Sequence, residues 1–402
     1  MINFLFGNEG CGKSTEILNR IKKDAENKKK ALLIVPEQQT VISERELASY
    51  LKPSAQLYCE ATNFTRLANS VFRKFGGLKY NYISASGKNL AMYQAICECR
   101  SMLNEYKIEV GHEKSCVKLF LSAIGELKAY SISVEKLNNA IEYIDGEISR
   151  GDESNLRFRN KLKDISLIWA SYEAIVNKKY SDNLDDILSL CDKLRENKEY
   201  FKDTNVYIDS IYSFTKSQLD VIKEIFKQCE NVTVAFDCPI NTPTGAMQYA
   251  KITDARDRLY AICKHDLKLK FNEESFDTDY KHKNESIKNV CERVWDFGFD
   301  GCLETDNISL VKAGDEFEEC EYVASKIKEL ILSGERYSSI AVLMRNADTY
   351  KGIIDFSFDK FDIPYFYSVT TDITSMPVIK MVFSALSSIA YYRYEDIISY
   401  IK

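Results

Sequence analysis

Ile2-Asn3-Phe4-Leu5-Phe6, running into Gly7-Asn8-Glu9-Gly10-Cys11-Gly12-Lys13-Ser14-Thr15, is the stretch on which the rest of the chain depends. Ile2 to Phe6 is a short apolar run of the kind a buried strand requires. Gly7 to Ser14 satisfies G-x-x-x-x-G-K-[ST] in full, and Ile17, Leu18 and Ile21 follow at helical spacing. Strand, glycine loop and helix thus occur in the order a phosphate-binding loop needs. Glycines let consecutive backbone N–H groups turn inward around phosphate oxygens. The dipole of a helix starting near Lys13 adds partial positive charge at the same point. Lys13 is expected to reach the β- and γ-phosphates of ATP, and Ser14 to place its hydroxyl on Mg²⁺. Gly7, Gly10, Cys11, Gly12 and Thr15 complete the expected nucleotide contacts. An accidental glycine–lysine turn would not need the strand before it and the helix after it.

At 402 residues the chain has room for two or three domains, each with its own core. Its 45% hydrophobic and 28% charged content is ordinary for a globular protein. A net charge of −6 argues against a surface that is basic all over, and leaves room for a local basic groove. No apolar run reaches the length of a membrane span, and a cytoplasmic location without a membrane partner is expected. The twelve cysteines include no C-x-x-C pair, so buried apolar thiols are expected rather than a metal or disulfide framework. His112, His265 and His282 are isolated in polar surroundings and read as surface residues, so a histidine-based catalytic centre is not expected.

Further along, Ala31-Leu32-Leu33-Ile34-Val35 reads as a second buried strand ended by Pro36. Lys28-Lys29-Lys30 before it reads as a solvated helix end. A helix is expected from Thr40 to Leu51, with Val41, Leu47 and Leu51 inward, then a third strand over Leu57 to Cys59. Another helix carries Leu67, Val71 and Phe72 and closes at Gly76-Gly77. From Ser84 to Asn197 the strand signal disappears, and helices are expected near 86–105, 114–130, 133–145, 156–179 and 184–197. Their inward positions include Leu119, Phe120, Ile124 and Leu127, then Ile165, Ile168, Trp169 and Tyr172. Val206-Tyr207-Ile208-Asp209 and Val232 to Phe236 with Asp237 return as apolar strands, with a helix over Gln218 to Cys229 between them. Such an interruption is how a parallel α/β sheet with a helical insertion looks in sequence.

Residues 253–266 suggest a helix, and the charged run 272–285 reads as a linker. A second α/β block is expected from Asn307. Its strands fall at Ile308 to Val311 and Ile340 to Met344, with extended backbone over Ile363 to Tyr367. Its helices fall at Phe317 to Leu332 (Val323, Ile327, Leu330 and Ile331 inward), Tyr350 to Phe361, 377–391 and 394–401. The chain stops inside the last helical pattern, so a fragment of a longer protein is expected.

A phosphate loop needs a second acid for magnesium, usually at the end of a neighbouring buried strand, and Asp209 fits. Many hydrolysing enzymes carry a glutamate next; here it is Ser210, which has no base of suitable pKa, so slow hydrolysis is expected. Asp237 is a candidate substitute. Arg345, closing a strand of the second block, could stabilise charge on the γ-phosphate. Thr62, Asn63, Thr65 and Arg66 suit phosphodiester contacts. A plain helix N-cap at Thr62 or Asn63 predicts the same residues.

The order GNEGCGKST, LLIVPEQQTVISERELASYL, ATNFTRLANSVFRKFGG, VYIDSIYSFTKSQLDVI, ISLVKAGDEFEECEYVASKIKELI, YSSIAVLMRNADTY and FDIPYFY resembles one family over nearly the whole chain. It is similar to the N-terminal part of the AddB subunits of bacterial AddAB helicase–nucleases, relatives of UvrD-type superfamily 1 helicases. The resemblance implies a P-loop NTPase with two RecA-like parallel-sheet lobes and an all-helical insertion in the first. Residues 1–83 and 198–300 would form the first lobe, 84–197 the insertion, and 301–402 the start of an incomplete second lobe. It implies a subunit that partners AddA, acts on DNA double-strand ends and single strands in recombinational repair, and helps recognise Chi. Gly12, Lys13, Ser14 and Asp209 match its nucleotide and magnesium positions, Arg345 its γ-phosphate arginine, and Thr62 to Arg66 its strand-contacting motif. The family's C-terminal nuclease domain and iron–sulfur cluster would lie beyond Lys402. The upstream adenine-reading glutamine loop of UvrD-type motors is missing, and Ser210 stands where a catalytic glutamate would. Two other readings follow from the same residues. One is a scaffold with a vestigial nucleotide site, and the other is a small-molecule P-loop kinase, which accounts for residues 1–35 alone.

Overall fold

The computed structural model describes residues 1–78, 81–149, 155–182, 185–294, 307–367, 373 and 376–401. At its centre lies β1 (Ile2–Phe6), paired in parallel on both sides: Ile2 to Phe6 register with Val232 to Phe236 on one flank and with Phe271 to Ser275 on the other. The remaining strands are β2 (Lys30–Ile34), β3 (Cys59–Thr62), β4 (Thr204–Ile208), β5 (Val232–Phe236) and β6 (Phe271–Ser275). They form one all-parallel sheet in the order β3-β2-β4-β5-β1-β6.

Parallel pairing forces crossover connections, and helices then cover both faces of the sheet. The period-two alternation of strand side chains divides the core accordingly. Ile2, Phe4, Phe6, Val206, Ile208, Val234 and Phe236 face one layer. That layer contains α4 (Phe64–Phe75), α9 (Asp185–Glu196), α10 (Lys216–Gln228) and α11 (Ala250–Ala261). Leu5, Ala31, Leu33, Tyr207 and Ala235 face the other, with α1 (Lys13–Glu26), α2 (Thr40–Tyr50) and α3 (Pro53–Gln56). Between β3 and β4 the chain leaves the sheet for α5 (Ala85–Cys99), α6 (Glu113–Ala129), α7 (Val134–Ser149) and α8 (Leu156–Val176). These bury a separate core around Met92, Phe120, Ile124, Ile168, Trp169 and Tyr172. Helix α9 does not join them: Leu190, Cys191 and Leu194 pack into the sheet's own core. All of this lies in one compact unit, Met1–Glu304.

Several expectations need correction. The third strand begins at Cys59 and runs to Thr62, while Leu57 is exposed in the preceding turn. Its apolar character misled because the pairing with β2 starts only at Cys59. Val41 and Leu119 point to solvent, and Thr40 and Ser43 are the buried residues on α2 beside Leu47. The charged run 272–285 is not a linker. Its first part is β6, and its last begins α12 (Glu285–Arg293). β6 is an edge strand whose acids are matched by neighbours rather than buried. Glu274 pairs with Arg20 of α1 at 2.6 Å, and Glu273 accepts from the Tyr260 hydroxyl. Phe271 stacks on the Tyr260 ring with centroids 4.9 Å apart.

The second unit, Thr305–Lys402, has a small core of its own. It contains α13 (Glu316–Leu332), α14 (Ala347–Tyr350), α15 (Ile353–Lys360), α16 (Pro377–Tyr391) and α17 (Tyr394–Ile401). Cys320, Ala324 and Ile327 of α13 pack on Ile354 and Phe358 of α15 and on Ile363, whereas Leu330 faces outward. No strand forms among its described residues, so the strands expected at Ile308 to Val311 and Ile340 to Met344 are absent. Leu310 and Leu343 are exposed. An apolar run makes a strand only when a neighbouring ladder accepts it, and none is present among these described residues.

Candidate functional site

The glycine loop leaves the C-terminal end of β1 and enters α1 at Lys13. Gly10 (φ 86°) and Gly12 (φ 92°) both take left-handed backbone, which side chains resist. That conformation holds the loop open in front of the helix N-terminus. Lys13 is 4% exposed, and its ammonium is fully engaged. Nζ donates to the Gly7 and Asn8 carbonyls, each at 2.8 Å, and pairs with the Asp237 carboxylate at 2.9 Å. The Cys11 thiol lies 3.4 Å away, itself buried beneath the loop. Ser14 and Thr15 are exposed on the first turn of α1.

Asp209 follows β4 and Asp237 follows β5, so the parallel strands deliver both acids to the same sheet edge as the loop. Asp209 is 8% exposed. Burial pushes its carboxyl above the usual carboxylate range, opposed by a hydrogen bond from Ser14 and by the Ser210 N–H at 2.8 Å. Ser210 has φ 59°, a left-handed turn that ends the strand abruptly. Burial pushes the Tyr212 hydroxyl up to about 12, with the Asp237 charge and hydrogen bond adding to it.

The structure therefore brings together Gly7, Gly10, Cys11, Gly12, Lys13, Ser14, Thr15, Asp209 and Asp237. A hydroxyl and a carboxylate in contact, Ser14 and Asp209, form a hard oxygen pair of the type Mg²⁺ accepts when phosphates and water complete its shell. Among the described residues no group of three or more His, Cys, Asp or Glu is placed to hold a metal by itself. Arg345 is exposed at a bend and belongs to the second unit, not to this one. Thr62 closes β3 with its side chain buried (2% exposed). Asn63 is the N-cap of α4: its Oδ1 accepts from the Arg66 N–H at 2.9 Å, and its Nδ2 donates to Thr40 Oγ1 at 3.1 Å. Thr65 and Arg66 are exposed, and Arg66 pairs with Glu44.

A strap after β6, which sequence patterning does not reveal, crosses the loop. The Tyr280 N–H donates to the Gly10 carbonyl at 3.0 Å, and Lys281 pairs with Glu9. A Cβ on Gly10 would fall 2.3 Å from Lys281 Cβ, and one on Gly7 2.3 Å from the Phe276 carbonyl. The Tyr280 ring lies beside Gly12. Strap, loop and the first turn of α1 enclose an open cleft of about 820 Å³ that reaches Asn19, Gln39, Ser210, Tyr212 and Asp237. No local signal marks these strap residues, because tyrosine and lysine in a charged run carry no periodicity.

A parallel sheet with this loop and these acids at its C-terminal edge defines a class, the RecA-like α/β helicase fold. The family described as ADDB, N-terminal, matches residues 4–290, and this chain belongs to it. The UvrD-like helicase C-terminal domain matches residues 267–401. Similar proteins include the B subunit of the ATP-dependent helicase/deoxyribonuclease of Clostridium tetani, 28% identical over 423 residues (100% of this chain, 35% of that protein). The protein of the same name from Clostridium perfringens is 26% identical over 412 residues, with 100% and 34% covered. That from Caldanaerobacter subterraneus subsp. tengcongensis is 28% identical over 431 residues, with 100% and 34% covered. The chain thus spans about a third of the length of these relatives.

Proposed function

We propose that this chain is the ATP-binding, helicase-like portion of an AddB subunit, within an ATP-dependent helicase/deoxyribonuclease that processes DNA double-strand breaks for recombinational repair. One observation carries the reading: Lys13, Ser14, Asp209 and Asp237 converge on a glycine loop at the C-terminal edge of a parallel sheet. Triphosphate binding would draw the Lys13 ammonium from its carbonyl and Asp237 contacts onto the β- and γ-phosphates. Ser14 and Asp209 would hold Mg²⁺, which supplies neutralisation of phosphate charge when bound. Thr15 and the backbone from Gly7 to Gly12 would complete the phosphate cradle. Ser210 supplies no carboxylate, so Asp237 is the acid left to orient an attacking water, and turnover should be slow. Arg345 would add a cation at the γ-phosphate.

Residues 1–83 and 198–300, together with α9, would act as the first lobe, α5 to α8 as its helical insertion and 301–402 as part of the second. The exposed Thr65 and Arg66 and the backbone around Thr62 and Asn63 would contact the DNA strand, with an AddA-type motor subunit as partner in the cytoplasm. No helix among the described residues is long and apolar enough to cross a membrane.

The test is ATP affinity by fluorescence of a labelled nucleotide, for the wild type and Lys13→Ala. Loss of a charge-assisted phosphate contact of about 2 kcal/mol or more should weaken binding at least about 30-fold. Equal affinity in the two proteins would leave a scaffold whose nucleotide site is vestigial.

A further inference from the structure

The far end of the loop opens into a second cavity of about 600 Å³, lined on one side by Asp279, His282, Lys288 and Cys291. None of these residues belongs to the proposed nucleotide site. The Asp279 carboxylate accepts the Lys281 N–H at 2.9 Å, the His282 N–H at 3.0 Å and His282 Nδ1 at 2.8 Å. The backbone bond from His282 is the largest reason its carboxyl sits below the usual carboxylate range. An ionised carboxylate only accepts, so Nδ1 is the protonated ring nitrogen. With one ring proton, on Nδ1, Nε2 is left as an acceptor, and it faces Cys291 Sγ at 3.8 Å. The Asn284 side chain fixes the turn between them by capping α12 through the Ser286 and Ile287 N–H groups at 2.9 and 3.3 Å. Nucleophile, base and orienting acid are thus placed in sequence, in the arrangement that activates a thiol.

We propose that Cys291 is a modification site: a thiol activated by His282, with Asp279 as positioning residue, that takes up low-molecular-weight disulfides. In the step, His282 Nε2 accepts the thiol proton and Cys291 Sγ attacks one sulfur of the disulfide. The Sγ–S bond forms and the S–S bond breaks. Cys291 is oxidised, the disulfide is reduced, and the departing thiolate takes the proton from His282. The adduct would occupy the cavity beside Gly7, Asn8 and Cys11. Nothing in the step requires a nucleotide, so it stands or falls separately from the proposed ATP site.

Cys97 is the other exposed cysteine among the described residues and serves as an internal reference. The 402-residue chain is treated with hydroxyethyl disulfide, and in parallel with limiting iodoacetamide at pH 7, and adducts are mapped by peptide mass. Cys291 should react at least tenfold faster than Cys97 with both reagents. His282→Gln, and independently Asp279→Asn, should bring it to within about threefold of Cys97, with the rate at Cys97 unchanged. Equal rates at the two cysteines of the wild type overturn the proposal. So does an unchanged Cys291 rate in a His282→Gln protein whose melting temperature matches the wild type.

Discussion

Lys13 has three ammonium protons, and the two loop carbonyls and the Asp237 carboxylate take all of them. The ammonium charge is thus offset by Asp237, and a phosphate bound as proposed would have to exchange for those contacts rather than add to them. Asp209 has the opposite problem. Its carboxyl is buried and pushed upward from the ordinary 3.8. A carboxyl with a raised folded pKa stabilises the fold below its unfolded pKa, and that contribution is lost as pH rises through the folded value. At neutral pH without Mg²⁺, ionised Asp209 therefore costs stability. Asp209→Asn should melt higher than wild type in EDTA at pH 7.5, with the gap closing as pH falls. A pH-independent gap, or a less stable variant, would contradict this. The sequence alone could place Gly10, Lys13 and Ser14 on one loop because that motif is a short-range pattern, and Asp209 at a strand end because it closes an apolar run. Tyr212, Phe276, Tyr280 and Lys281 were not, since each matters only through a partner remote in the chain.

Among the elements, α4 bears most directly on the proposed DNA contact. Asn63 caps it and also reaches α2 through Thr40, so the plain N-cap reading accounts for its side chain. Asn63→Ala should destabilise the protein by about 1–2 kcal/mol, read as a lower urea midpoint. Arg66 is half exposed and makes a surface pair with Glu44, so Arg66→Ala should change stability by less than about 0.5 kcal/mol. If the segment meets a DNA strand, Arg66→Ala should nonetheless weaken single-strand affinity and lower its salt dependence by about one phosphate contact. Unchanged affinity and salt slope would remove Arg66 from the interface. β6 teaches a different lesson. Its sequence, Phe271 to Ser275, has one apolar residue, yet it pairs along the whole of β1. An edge strand needs one covered face at most, and Arg20 and Tyr260 satisfy its acids, so hydrophobic patterning could not reveal it.

At the scale of the whole molecule the sheet unit is complete in itself, with both faces covered, while the second unit buries only a small core around α13 and α15. The described residues of the second unit form no sheet of their own. The 402-residue chain alone should neither unwind nor cut DNA, and single-turnover unwinding or nuclease activity from it would refute this. In a complex that carries the whole AddB protein, Arg345→Ala should lower ATP turnover about tenfold or more while nucleotide affinity falls less, as for loss of a transition-state cation. Unaltered turnover would exclude Arg345 from the γ-phosphate. The primary structure alone was enough for the buried strands β1, β2, β4 and β5, the loop and its lysine, and the helical block with Trp169 and Tyr172 inside. Each of these is written in neighbouring residues, as an apolar run, a fixed spacing or a 3.6-residue period. Folding had to supply the strap over the loop, the Lys13–Asp237 pair, the return of α9 to the sheet core and the absence of a ladder at Ile308 and Ile340. Those depend on contacts such as Glu9 with Lys281, 272 positions apart, which no local pattern encodes.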